Sequence, residues 1–467
     1  MQNTNLKEKS EMKKGSLLSI ITVLVIVLSL CISCTTTPAS ETAIPAAATE
    51  APAVEAPTGE VPAAAEPVKL EMWSFIQQHL DYFVSMSATW NEMHPDKPVE
   101  IVPVFYDWAS LHDKLYAAQM AGEGVPDIAD VELGKWPMFM NGEVQFLDLT
   151  PYVEPYKDEL ITSRLEVYSK DGAIYGAASH VGATVMYYNT ELLDAAGVDY
   201  TKIVTWDDFE AAMRTYKENT GKYMYYCETY GAYQYTIMMS ELGATLIDEN
   251  GMPTLNGPEA LKSVELINKW VNDDLLAFIP TGNADTPEGK AAVWAGDIAA
   301  VAYPLWYMSR FTDEAPDLSG KIAIAPLPVF DADSYKSVGL GGTGTTVYKD
   351  SANAALAAEF VTWAKLSADG SAGLWTTLGF DPVNKLVAKD TSITTDPDNK
   401  FLKYFTTNPF DVLASVSDKM FTQKTMQNSG IINDYLSATT WNRIYVDKED
   451  PKTVLDETQA ELSAQSN

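Results

Sequence analysis

The chain has 467 residues, 46% of them hydrophobic, which is enough for more than one core, since single cores stop growing near roughly 250 to 300 residues. Its 64 acidic residues face 32 basic ones, a formal net charge of -32, which excludes nucleic acid as a partner because that binding draws its affinity from Lys and Arg on phosphates. The same excess repels anionic ligands unless a local basic cluster overrides it.

Lys7, Lys9, Lys13 and Lys14 precede an apolar run from Leu17 to Ser33, and Cys34 follows. A basic head, an apolar middle and a small residue at the cleavage point predict an export signal over residues 1-33. Ser33-Cys34 resembles the end of a bacterial lipobox, in which the cysteine thiol receives a diacylglyceryl group. Cys31 stands where Leu is usual and is the other candidate for the modified residue. The alternative is an uncleaved anchor, since the run nearly reaches the roughly 18 apolar residues of a spanning helix. Both readings tether the body to the outer face of the cytoplasmic membrane. Residues 34-67 would hold the lipidated Cys34 and a segment of Ala, Pro, Thr and Glu that is predicted to be disordered, with a reach of roughly 30 Å. After it only Cys227 remains, so the mature body has no internal disulfide and Cys227 reads as a small buried hydrophobe. Four histidines without a C-x-x-C or H-E-x-x-H pattern give no reason to expect a metal, and nothing calls for a cofactor.

The body opens at Val68 with the alternating strand VKLEMWSF. Leu80, Phe83, Val84 and Ala88 then mark one apolar helix face, which Pro95 closes. PVEIVPVF is a second strand, WASLHDKLYAAQMAGEG a helix that runs out at Gly122 and Gly124, and PDIADVEL a third strand. Strand and helix in alternation predict a mainly parallel sheet covered by helices, with the ligand crevice beyond the C-terminal strand ends. Further on, TWDDFEAAMRTYKENTGK is a helix with Thr205 as N-cap and Asp208 in capping-box position, burying Trp206, Phe209, Met213 and Tyr216. PEALKSVELINKWVNDDL is another helix, and KIAIAPLPVF a strand.

VGLGGTGTTVYK contains Gly339-x-Gly341-x-x-Gly344, the spacing of a dinucleotide loop. In a dinucleotide fold that loop opens directly into a helix. Here β-branched TTVYK follows and reads as a strand, and the helix starts only at SANAALAAEFVTWAKL, with Leu356, Phe360, Trp363 and Ala364 on one face. Loop, strand, helix is the wrong order for a nucleotide, and the glycines are expected to allow a chain crossing and close approach to a ligand.

An ordered set of stretches carries a resemblance. WNEMHPDKPVEIVPV, AAQMAGEGVPDIADVELG, DGAIYGAAS, VMYYNTELLDAAGVD, TWDDFEAA, GKAAVWAGD, GKIAIAPLPV, GGTGTTVYKDSANAALAAEFVTWA and LGFDPVNK span most of Val68 to about Lys385. Together they resemble the extracellular solute-binding proteins of bacterial ABC importers, of the sugar and oligosaccharide type. Ala178 replaces a usual Pro and Val293 a frequent Met. The resemblance implies a periplasmic-binding-protein-like α/β fold of two lobes with a hinge and an interlobe cleft. The first lobe would take residues 68-181 and 341-385, the second 186-336 and 390-467, with crossings near 181-185, 336-344 and 385-390. It also implies a monomer that hands its ligand to membrane permease subunits, without catalysis.

A sugar offers apolar C-H faces and a rim of hydroxyls, so its site needs aromatic rings and paired acceptors or donors. At the loops expected to face the cleft stand Trp73, Phe75, Asp107, Trp108, Asp130, Glu132 and Trp136 from the first lobe, with His180 near the crossing. CETYGAYQY offers Tyr230 and Tyr233, with Glu228 and Tyr235 beside them, and YPLWYM offers Trp306 and Tyr307. Asn189 is expected to serve the backbone near the crossing, and Gly341 and Gly342 to offer backbone N-H groups. Two other readings stay open: the same fold around a polyamine, peptide or oxyanion, and a secreted glycoside hydrolase, for which the 64 acids discriminate nothing.

Overall fold

The structure, a computed structural model, describes residues 65-279, 282-423 and 428-465. The export signal, Cys31, Cys34 and nearly all of the expected tether lie outside these residues. Among the described residues no helix is long and apolar enough to cross a membrane, and no cluster of side chains is suited to a metal ion.

Strand β1 (Val68–Ser74), helix α1 (Gln77–Met93), β2 (Val99–Phe105), α2 (Trp108–Ala121) and β3 (Ile128–Glu132) follow the expected alternation. Helix α1 stops at the His94 cap just before Pro95, and α2 ends on left-handed Gly122 with φ 70°. The buried face of α1 differs from the expected one. Leu80 and Phe83 are buried, but Val84 and Ala88 face solvent, and Tyr82, Met86 and Trp90 complete the seam. Trp90 packs on Phe360 and Trp363, so large rings outcompeted small aliphatics for the interior.

With β4 (Ala177–Ala178) and β11 (Thr343–Val347) these strands form one five-stranded sheet, ordered β2-β1-β3-β11-β4. Both pairings of β1 are parallel. The β11 strand runs antiparallel to β3 and β4, so the sheet is parallel only over its first half. Helices α6 (Ala354–Leu366) and α7 (Ala368–Leu378) cover it. The order loop, strand, helix after Gly342 is the expected one, and a pyrophosphate would find no helix N-terminus there.

A second set of elements has its own sheet, in which β5 (Thr184–Asn189) lies between β8 (Ala300–Pro304) and β9 (Ile322–Ala325), antiparallel to both. Strands β6 (Tyr225–Glu228) and β7 (Leu276–Ile279) pair in parallel beside helices α3 (Trp206–Thr220), α4 (Tyr233–Glu241) and α5 (Pro258–Asn272). The Thr205–Asp208 capping box and the buried Trp206, Phe209, Met213 and Tyr216 of α3 are as expected. Strand β10 (Ser337–Gly339) pairs with β12 (Met420–Thr422).

The apolar interior falls into two clusters. One draws on residues 70-178 and 347-383, the other on 183-340 and on 401-462. Trp375 departs from this division: it lies on α7 yet belongs to the second cluster, packed on Phe401 and Phe410. Two chain segments run side by side where the clusters meet. Ala183 bridges Gly339, Leu340 N-H donates to Gly182 O, and Thr184 Oγ1 donates to Val338 O at 2.6 Å. Asp381 joins them, its carboxylate accepting from the N-H groups of Gly182 and Ala183.

Candidate ligand-binding site

Where these clusters face each other lies a cavity of about 700 Å³. The first cluster's side supplies Phe75 from the end of β1, Ile76, Gln78, His79 and Asp81 from the start of α1, Trp108 from the start of α2, and Glu132 from the end of β3. Opposite stand Tyr233 at the start of α4, Trp306 after β8, and Ser309, Arg310 and Asp313 on the helix Met308–Glu314. His180, Phe380, Gly341 and Gly342 form the base near the paired segments. A second cavity of about 290 Å³ adjoins it, lined by Tyr230, Asn283, Gln423, Asn433, Asp434 and Ser437 among others. Glu132, Tyr233 and Gly341 line both, so the two cavities share one wall.

The wall alternates rings with hydrogen-bonding groups. Tyr233 stacks on Tyr303 with centroids 4.8 Å apart, and Tyr303 meets Trp306 edge-on at 5.7 Å. Phe380 is flanked edge-on by His79 and His180, at 5.4 and 4.7 Å. His79 Nε2, His180 Nδ1 and Trp306 Nε1 are buried without a hydrogen-bond partner among the described residues. The cavity itself mixes rings with the polar side chains of Gln78, Asp81, Glu132 and Ser309, which suits a polyhydroxylated guest.

Charge in the cavity is acidic or already neutralised. Arg310 Nε donates to Asp285 at 2.9 Å and its guanidinium lies over the Trp306 ring. Lys400 pairs with Asp313 at 3.1 Å. Glu132 accepts from Gly134 N-H at 2.7 Å and forms no ion pair among the described residues. Enclosure by protein pushes its carboxyl up to about 7, against the pull of the Gly134 N-H, Arg164 and Lys135. Burial, with Arg164, His79 and Lys365 nearby, holds the His180 imidazole well below its usual range.

Arg164, almost fully buried, braces the base. Its Nε donates to His180 O at 3.0 Å and its second terminal nitrogen to Gly341 O, so one guanidinium grips both paired segments. Gly341 and Gly342 have φ of 65° and 129°, and a Cβ on Gly342 would collide with that guanidinium.

A family model for bacterial extracellular solute-binding proteins matches residues 76-370. This chain belongs to that family. Two curated relatives are named arabinooligosaccharide-binding protein. The one from Bacillus subtilis is 36% identical over 398 residues, which is 84% of this chain and 92% of the relative. The one from Halalkalibacterium halodurans is 36% identical over 377 residues, 80% of this chain and 84% of the relative. Among solved structures, the binding protein of B. animalis subsp. lactis in complex with beta-1,6-galactobiose superimposes with a TM-score of 0.70 at 20% identity, covering 86% of this chain and 98% of that one. The sugar-binding protein MalE of Xanthomonas citri gives 0.71 at 15%, covering 85% and 97%. The family resemblance read from the ordered stretches is borne out, and so is the two-lobed α/β fold.

Of the residues expected to line the cleft of this solute-binding protein, Phe75, Trp108, Glu132, His180, Tyr233, Trp306, Gly341 and Gly342 border the larger cavity, and Tyr230 the smaller. Four others lie elsewhere. Trp73 is buried against Tyr106, its Nε1 donating to Glu71 at 2.6 Å. Asp107 caps α2, accepting from Ser110 N-H at 3.0 Å. Trp136 is sealed between Phe146 and Tyr168. Asp130 is fully buried beneath the cavity wall and held by Ser74, Thr345 and His79. Trp73 and Asp130 lie two residues before Phe75 and Glu132, inside the sheet, whereas Phe75 and Glu132 stand where β1 and β3 run out at the cleft. Glu228, Tyr235 and Tyr307 are interior, and Asn189 caps the short helix Thr190–Ala195. Cys227 is fully buried, as expected.

Sequence reasoning missed Gln78, His79 and Asp81, which belong to the first turn of α1 rather than to the strand end. It also missed Arg310, Phe380 and the C-terminal trio Asn433, Asp434 and Ser437. The available signal was the pair of adjacent glutamines and His79 just after WSF, polar residues where a buried helix start would be apolar.

Proposed function

We propose that this protein captures an oligosaccharide between its lobes and delivers it to the membrane subunits of an ABC importer, with arabinose oligomers the first class to test. The observation that carries this reading is the shared wall of the two cavities. A ligand of several sugar units could pass Tyr233 and Glu132 and occupy both, whereas a single unit would fill only part of the larger one. Ring faces at Trp306, Tyr233 and Phe380 suit sugar C-H faces, and the polar side chains of Gln78, Glu132 and Ser309 suit hydroxyls. The two relatives at 36% identity, both named for arabinooligosaccharides, support the same class.

The remaining parts of the proposal follow the family. Residues 68-181 with 341-385 form one lobe and 186-336 with 390-467 the other, closing about crossings near 181-185, 336-344 and 385-390. Contacts from both lobes would favour the closed form, and the permease would read that form. A diacylglyceryl group on Cys34 would hold the monomeric receptor at the outer face of the cytoplasmic membrane. No covalent chemistry is assigned to the site.

The test is thermal unfolding of the mature chain with arabinotriose, maltotriose, galactobiose, spermidine and a tripeptide at millimolar concentration. A ligand at about 100 times its Kd adds about 2.7 kcal/mol to stability. A shift with a saccharide and none with spermidine or peptide is expected. The reverse pattern would keep the fold and overturn the ligand class, and turnover of a bound saccharide would revive a hydrolase.

A further inference from the structure

Glu132 stands at the C-terminal end of β3, where the two cavities share their wall. Protein surrounds it, yet water still reaches it through the cavities, because the residue is only half-buried and neither of its oxygens is sealed off without a partner. One oxygen accepts from Gly134 N-H at 2.7 Å. The cations nearest to it are committed elsewhere. Arg164 Nε donates to His180 O at 3.0 Å and a terminal nitrogen to Gly341 O, and Lys135 Nζ lies 4.6 Å from the centre of the Trp108 ring. On the remaining sides stand His112, whose Nε2 accepts the Glu132 backbone N-H at 3.0 Å, then Tyr168 and Tyr233, and buried Asp130 with its partners His79 and Lys365. Burial holds the His112 imidazole down to about 4, so it offers the carboxylate no cation near neutral pH. Across the larger cavity Arg310 and Lys400 are paired with Asp285 and Asp313. Asp81 and Asp434 also border the cavities, but both are exposed and keep their water, whereas a ligand passing the shared wall encloses Glu132.

We infer that Glu132 is the specificity-determining residue at this junction, binding an uncharged saccharide as a neutral carboxyl, so that capture of the ligand takes up a proton. The inference rests on the saccharide reading given above. A saccharide that spans the shared wall replaces the water that solvates the carboxylate, and it brings hydroxyls and C-H groups but no charge. In the open cavity enclosure already outweighs the Gly134 and Leu133 N-H groups, Arg164 and Lys135, and the carboxyl stands at about 7. Further loss of water acts in the same direction, and a ligand hydroxyl only replaces a donor that water supplied before. A neutral carboxyl both donates and accepts, which matches a hydroxyl, whereas a carboxylate only accepts. Because the bound form then holds its proton more tightly than the free form, affinity is full below about pH 7 and falls as pH rises past it.

Calorimetric titration of the mature chain with arabinotriose from pH 6 to pH 8.5 tests this, repeated at pH 7.5 in phosphate and in Tris, whose different ionisation enthalpies count the protons exchanged. Binding is expected to weaken at least about fivefold across that range, with about half a proton taken up per ligand at pH 7.5. Glu132→Gln, which cannot ionise, removes the uptake and flattens the profile, whereas exchanging a side chain that merely packs there would leave both unchanged. If thermal melts show Glu132→Gln to be unfolded, Glu132→Ala takes its place with the same expectation. Tight binding of arabinotriose with no net uptake, or with proton release, overturns the inference and leaves the functional reading standing. An uptake that persists in the variant does the same. If no saccharide binds the wild type at any pH tested, the functional reading falls and the inference falls with it.

Discussion

Asp381 and Ala183 are joined across the base of the cleft, the Asp381 carboxylate accepting the Ala183 N-H at 2.8 Å, while its other oxygen takes the Gly182 N-H at 3.1 Å. Burial raises the Asp381 carboxyl above its usual range, and these N-H groups with Arg164 oppose the rise. Replacing it by Ala leaves two buried donors without an acceptor where the chain crosses between clusters. We predict that Asp381→Ala destabilises the protein by about 3 kcal/mol, and Asp381→Asn by less, because its amide oxygen still serves one donor. Urea unfolding monitored by tryptophan fluorescence measures both. Equal stability of Asp381→Ala and wild type would remove the carboxylate from the crossing.

Gly342 and Gly341 make a graded pair. Both have positive φ, but only Gly342 would drive a Cβ into the Arg164 guanidinium, whereas at Gly341 the nearest atom is Trp306 Nε1 at 3.1 Å. Gly341→Ala should cost about 1 kcal/mol of stability through its backbone, and Gly342→Ala clearly more, about 3 kcal/mol, because the braced arginine cannot yield. Thermal melts of the two variants give the order, and the reverse order would contradict the Arg164 brace.

The element order from Val68 to Glu132 could be read in the sequence because its strands alternate and its helices run out at Pro95 or at Gly122 and Gly124. The cleft was half legible. Aromatic residues just after a strand, such as Phe75, or at a helix start, such as Trp108 and Tyr233, do border it. Trp73 and Asp130 do not, since each lies two residues deeper in its strand than Phe75 and Glu132, and the sequence does not mark how far along a strand the cleft begins. Arg310 and Ser437 were invisible for another reason. They reach the cleft by the folding of distant segments against each other, and no local pattern encodes that.

Buried carboxyls give stability a pH dependence whose sign is fixed. Glu132 is pushed up to about 7 and Glu228 to about 8, and Glu241, which accepts from Trp206 Nε1, is held well above the usual range, in each case by burial. A raised carboxyl binds its proton more tightly when folded, so its stabilisation is complete below the unfolded value and is lost as pH rises through the folded one. From pH 8 down to about 6.5 these groups increase stability. Below that, His112, lowered to about 4, and His180, lowered well below its usual range, favour the unfolded chain, which takes up their protons first. The melting temperature should therefore rise by about 3 °C between pH 8 and pH 6.5 and then level off. A Tm that falls steadily across that interval would show these carboxyls to be ionised in the folded state.

Tyr233 borders both cavities, and its ring is backed by Tyr303. Trp306 borders only the larger. A ligand confined to the larger cavity meets both rings there, but only a longer one continues past Tyr233 into the space between Tyr230 and Ser437. Removing a ring that stacks on a sugar costs about 1 to 2 kcal/mol, or roughly tenfold in Kd. Trp306→Ala should weaken short and long saccharides alike. Ser437→Trp, which fills the smaller cavity without touching the larger, should weaken arabinotriose and longer oligomers while sparing arabinobiose. Calorimetry across a length series separates the two patterns. If Ser437→Trp leaves every length unchanged, the ligand stays in the larger cavity, and the shared wall at Tyr233 is an end stop rather than a passage.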